Sequence, residues 1–154
     1  MKIIELKENG NVWKDSKSIP VFNQLRLILD GLRNRDIPDR IIVSINRDLE
    51  ELNSTLLTES MLRKLIKQKQ LKIIKLLEKE LKIVPKNHYR NLWSVLGMSA
   101  FGLPLGVALG SSIGNLALLG IGLPIGMAIG LAVGAEMDKK ALKAGRQLNV
   151  EIKQ

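Results

Sequence analysis

The stretch Phe101-Gly-Leu-Pro-Leu-Gly-Val-Ala-Leu-Gly-Ser-Ser-Ile-Gly114 recurs twenty residues later as Ile121-Gly-Leu-Pro-Ile-Gly-Met-Ala-Ile-Gly-Leu-Ala-Val-Gly134. Seven of the fourteen positions are identical, four of them glycine. Gly102, Gly106, Gly110 and Gly114 are spaced by four, as are Gly122, Gly126, Gly130 and Gly134. Four residues advance an α-helix by about 400°, so successive glycines sit ~40° apart and ~6 Å further along. Each copy therefore forms a groove without side chains that drifts slowly round its helix. In water a helical glycine costs ~1 kcal/mol relative to alanine, so a plain anchor would use leucine instead. Lipid lowers that cost, because unfolding there exposes unpaired amides. The spacing predicts two membrane helices whose backbones approach closely.

The flanks agree. From Asn91 to Ala135 there are 45 consecutive residues without a charge, and 10 of the 13 glycines lie between Gly97 and Gly134. One crossing needs ~20 apolar residues, so this block predicts two spans, near 92–112 and 116–135. The break falls at the polar cluster Ser111-Ser112-Ile113-Gly114-Asn115. Lys82, Lys86 and Arg90 precede the first span, Lys139, Lys140, Lys143 and Arg146 follow the second, and the turn is uncharged. That bias predicts both termini in the cytoplasm. Tyr89 and Trp93 stand where aromatic rings favour the headgroup zone. Pro104 and Pro124 occupy equivalent places in the two copies, and each removes a helical hydrogen bond. They are read as kinks, with a hinge as the alternative.

Gly97–Gly134 resembles the glycine-zipper membrane proteins of bacteria. The resemblance implies packed helical hairpins that self-associate, with pore formation in some members. It supplies no catalytic residue.

The whole-chain averages conceal this division. Mean hydropathy is +0.07 and the net charge is +9, values that describe an ordinary soluble domain with an excess of positive charge. By segment, residues 1–59 carry 9 basic and 10 acidic side chains, residues 60–90 carry 10 and 2, and residues 136–154 carry 5 and 3. The expected organisation is a cytoplasmic helical domain at 1–59, a basic amphipathic juxtamembrane helix and linker at 60–90, the hairpin at 91–135 and a polar cytoplasmic tail at 136–154. The start, Met1-Lys2-Ile3-Ile4-Glu5-Leu6-Lys7, becomes charged too soon for a secretory signal.

Within the N-terminal part, Val21, Phe22, Leu25, Ile28, Leu29 and Leu32 form one helical face, and Ile42, Ile45, Leu49 and Leu52 another. Ser18 and Asp39 are candidate N-caps. Residues 2–7 and 11–14 flank Asn9-Gly10-Asn11 in the pattern of a short β-hairpin spanning 2–14. Ser60 to Val84 reads as a helix with Leu62, Leu65, Ile66, Ile73, Leu76, Leu77, Leu81 and Val84 on its apolar face, ended by Pro85. Lys64, Lys67, Lys72, Lys75, Lys79 and Lys82 fill much of the rest. Three readings of that helix stand, in descending weight: packing on the N-terminal domain with solvated lysines, a basic face on anionic lipid, and nucleic-acid binding. The last lacks stacking aromatics and any recognised motif.

The chain has no cysteine and one histidine, which excludes disulfides, thiolate metal sites and cysteine nucleophiles. No phosphate-binding loop, GxSxG or HExxH is present. His88 reads as interfacial filler, and Glu50-Glu51 and Glu78/Glu80 as solvated faces. The expected fold class is mainly α: a two-helix transmembrane hairpin with glycine-zipper packing plus a small helical cytoplasmic domain. The expected protein is a two-pass bacterial inner-membrane scaffold or adaptor, not an enzyme. It would need no cofactor, contact the bilayer including anionic lipids, and self-associate. A homo-oligomeric pore is the alternative, and no small-molecule substrate is evident.

Overall fold

The computed structural model describes residues 1–7, 17–55, 57–115, 117 and 119–152, with Leu119 described by its backbone alone. The chain is mainly helical, carries one small strand pair, and divides into two compact units.

The first unit comprises residues 1–85 and 148–152. Helix α1 (Ser18–Arg33) buries Val21, Phe22, Leu25, Ile28, Leu29 and Leu32, the face that its three- and four-residue spacing marks out. Helix α2 (Asp39–Ser54) buries Ile41, Ile42, Ile45, Leu49 and Leu52. Neither helix is capped as expected. Ser18 and Asp39 are the first helical residues rather than caps; Lys17 and Pro38 precede them without side-chain cap bonds.

Helix α3 (Glu59–Leu81) closes the core with Leu62, Ile66, Gln70, Ile73, Ile74 and Leu77. It ends three residues before Val84. Lys82 takes a left-handed conformation (φ 56°), and the Ile83 N–H closes onto the Leu77 carbonyl at 3.2 Å. Pro85 disfavours a helical conformation at the residue before it, and Val84–Lys86 forms strand β1 instead.

Residues 8–14 of the hairpin expected at 2–14 lie outside the described residues. Residues 1–7 carry no strand. They run as a strap along α2, where two asparagines one heptad apart replace a partner strand. Asn46 accepts from the Ile4 N–H and donates to the Lys2 carbonyl, both at 3.0 Å. Asn53 repeats the pattern on the Lys7 N–H at 2.8 Å and the Glu5 carbonyl at 2.9 Å. A carboxamide pairs with a peptide group much as a second peptide would, so these four backbone groups are satisfied without a ladder.

The second unit comprises residues 86–147. Helix α4 (His88–Gly97), a π turn (Met98–Gly102) and helix α5 (Leu103–Ile113) form one continuous helical run. Helix α6 (Leu119–Lys143) packs back along it. The runs His88–Ile113 and Gly120–Lys143, 26 and 24 residues, are long and apolar enough to cross a membrane. Both exceed the expected spans at their charged ends.

The segment after 135 differs from the expected polar tail. Helix α6 continues to Lys143, Gly145 turns with φ 66°, and Gln147–Glu151 forms strand β2, paired with β1. Leu148 and Val150 join the core of the first unit. The alternation Leu148-Asn149-Val150-Glu151 is a strand signal.

Candidate functional site

The hairpin is the candidate site, and its burial is inverted relative to a soluble helix pair. Gly97, Gly102, Gly106 and Gly110 are buried on the first run; Gly122, Gly126, Gly130 and Gly134 are buried on α6. The large apolar side chains point outward, among them Val95 at 66% exposure and Ile113 at 68%, with Phe101, Leu105, Ile121 and Ile129 likewise exposed.

The antiparallel register follows from what a Cβ on each glycine would meet. At Gly134 it meets the backbone of Tyr89 and Arg90, and at Gly130 the Trp93 carbonyl. At Gly126 it meets the backbone of Gly97 and Gly102, and at Gly122 that of Gly102 and Gly106. One built at Gly102 lies 3.0 Å from the Gly122 carbonyl oxygen. No methyl fits where backbone faces backbone at such separations. Gly114 stands apart. It is exposed, adopts φ 72° and makes the turn, with nothing within 4 Å of a Cβ. The break comes near its expected place, since α5 ends at Ile113 and Asn115 Oδ1 accepts from the Ala117 N–H at 3.0 Å.

Gly97 joins this face although it lies five residues before Gly102, not four. In an α-helix that spacing would carry it off the stripe; one turn with i→i+5 bonds restores it. The Leu103 N–H reaches back to the Met98 carbonyl to close this turn. Pro104, which has no N–H to donate, follows directly. Pro124 lies inside regular α6, so the two matched prolines meet different local backbones.

Asp138 extends the α6 stripe by another four residues and is buried. Its two oxygens accept from the Tyr89 N–H at 3.1 Å and the Arg90 N–H at 3.0 Å. The residue before α4, Asn87, makes no side-chain cap bond, so the cap on α4 comes from the other helix. A carboxylate at a helix N-terminus also meets the positive end of the macrodipole. The signal was in the register: Gly122, Gly126, Gly130, Gly134, Asp138. Among the residues expected at a membrane interface, Tyr89 and Trp93 are half-buried, whereas Lys82, Lys86, Arg90, Lys139 and Lys140 are exposed. The rings of His88 and Tyr89 meet edge-on, with centroids 5.2 Å apart.

The exposed serines are closed off. Ser111 donates to the Val107 carbonyl at 2.7 Å and Ser112 to the Ala108 carbonyl at 2.8 Å. Ser99 donates to the Val95 and Leu96 carbonyls. Hydroxyls bonded back to their own helix present no unpaired donor to a hydrocarbon surrounding.

No family model, curated relative or solved structure matches the chain.

In the first unit some of the charged groups form ion pairs. Asp48, 3% exposed, accepts from Lys72 at 2.7 Å and Lys69 at 3.0 Å, and Lys69 also pairs with Glu51. Burial pushes the Asp48 carboxyl up, but the two lysines outweigh it and hold it below its ordinary range. Burial likewise works against the Lys69 charge, and Glu51 and Asp48 outweigh it, raising the ammonium above its usual value. Among the described residues, no group of three His, Asp or Glu side chains could hold a metal ion.

Proposed function

We propose that the chain is a two-pass protein of a bacterial inner membrane, with both termini cytoplasmic, acting as a scaffold that fixes its helical N-terminal unit to the membrane. The supporting observation is the inverted burial: glycines inside the hairpin, leucines, isoleucines and valines outside, and exposed serines bonded to their own helices. Water would penalise such a surface and lipid favours it.

The glycine stripes then act as a zipper within one chain. Their backbones already face one another, so association between copies runs through the exposed apolar faces. A pore is the weaker reading. Its lining would have no charged side chain, and the serine hydroxyls are committed to carbonyls. Two measurements test the proposal. The full chain is expected to stay with membranes through an alkaline carbonate wash, and release into the soluble fraction contradicts it. Reconstituted liposomes are expected to remain electrically silent across voltage and tension; discrete conductance steps would transfer the reading to a pore.

A further inference from the structure

The sorting of charge on α3 bears on what its outer face contacts. Lys69 and Lys72 are tied to Asp48, and Glu80 pairs with Arg40 at 2.8 Å. Lys64, Lys67, Lys75, Lys79 and Lys82 are exposed and, among the described residues, make no ion pair. At 100° per residue, Lys64, Lys67, Lys75 and Lys79 fall within one arc of about 120°; half-buried Glu78 lies in it too, which leaves the arc net basic. Near its centre stands Leu71, 54% exposed, one turn from both Lys67 and Lys75, and at the arc's edge Met61, 57% exposed. Solvation alone explains exposed lysines. A single exposed leucine is ordinary too; what stands out is its place at the centre of lysines that have no ion-pair partner among the described residues. A lysine arc with an apolar centre is the pattern of a helix lying in a headgroup layer, with its charges on lipid phosphates and its apolar residues below them.

We infer that α3 is a second membrane contact: its Lys64–Lys79 face lies on anionic phospholipid, with Leu71 inserted. The inference rests on the membrane reading of the hairpin, because only six residues separate Leu81 from His88. Such a link spans about 25 Å at most, so the C-terminal end of α3 stays within reach of whatever surface the hairpin enters, and a few lysines suffice where a free helix would need more. The occupant is a lipid surface rather than nucleic acid because the arc offers an apolar centre and no aromatic for base stacking.

The chain has no cysteine, so Gln68→Cys, on the same exposed arc, carries a single polarity-sensitive fluorophore in the otherwise complete protein. Glu50→Cys on α2 is the control. The full chain is reconstituted into phosphatidylcholine vesicles with or without phosphatidylglycerol. The expected result is a blue shift at position 68, not at 50, in the anionic vesicles alone, reversed near ~0.5 M salt where screening is short-ranged. Lys64→Gln with Lys75→Gln lowers the bound-to-free ratio roughly 25-fold, about fivefold for each charge removed. Leu71→Ser weakens the shift but leaves its salt dependence. Equal emission in both vesicle types, from protein that resists alkaline extraction, overturns this inference and leaves the hairpin reading intact. Protein that washes off the vesicles overturns both. A shift produced by added RNA or duplex DNA, with none from anionic lipid, assigns the face to nucleic acid and overturns the inference.

Discussion

Each glycine of the hairpin answers to its own surroundings, and two in α6 make a controlled pair. At Gly126 a methyl group meets the backbone of Gly97 and Gly102, whereas at Gly120 nothing lies within 4 Å. Gly126→Ala is expected to push the helices apart and destabilise the hairpin by about 2 kcal/mol. Gly120→Ala is expected to be neutral or to gain up to ~1 kcal/mol from helix propensity. Amide exchange of α4 and α6 in detergent micelles separates the two; equal effects would remove close packing as the reason for the stripe. In the first unit, Asp48→Asn leaves Lys69 and Lys72 without their shared buried partner, for an expected loss of roughly 2 kcal/mol near neutral pH. The sign with pH follows from the depressed carboxyl. Its contribution is complete above the ordinary value of 3.8 and drains away as pH falls through the lower folded value. The difference between parent and variant, read from amide exchange in α2 and α3, should therefore shrink in acid. A constant gap down to low pH would contradict this ion pairing.

At the scale of elements, the two helical runs differ in how they keep their register. Helix α6 holds its glycines four apart by regular winding, whereas the first run places Gly97 on the shared face only through the π turn at Met98–Gly102. Deleting Ala100 makes the Gly97 spacing four, so an ordinary α turn should replace the π turn with little loss of stability. Deleting Ala128 rotates Gly130, Gly134 and Asp138 by about 100° relative to Gly126, and the hairpin should come apart. Circular dichroism and amide exchange on the two deletions check this; equal damage from both would show that the π turn has another cause. Sequence periodicity exposed the faces of α1 and α2, because a helix beside a water-facing surface buries every third or fourth residue. The four-residue spacing of the glycines is close to one helical turn, and the buried glycines follow it. On α3 it nominated Leu65, which is half-buried, and passed over Gln70 and Ile74, which are buried, because neighbours and not composition decide a face so rich in leucine and isoleucine. The β1–β2 pairing joins strands some sixty residues apart, a contact to which local pattern is blind. Asp138 looked like one more tail charge, since its partners are amides on another helix.

For the whole molecule, the net charge of +9 is unevenly distributed. The turn between α5 and α6 is uncharged, and the opposite end of the hairpin carries Arg90, Lys139, Lys140 and Lys143. In a membrane, that asymmetry would favour the orientation with the charged end on the cytoplasmic side. The absence of native cysteine makes its consequence directly readable. Single cysteines at Asn115 in the turn, Lys139 near the end of α6 and Arg35 after α1 can each be probed with a membrane-impermeant maleimide on spheroplasts, before and after lysis. The account predicts that Asn115→Cys reacts in intact spheroplasts, while Arg35→Cys and Lys139→Cys react only once the membrane is opened. Labelling of Lys139→Cys from outside, or protection of all three positions until lysis, would contradict a hairpin that crosses the membrane and returns.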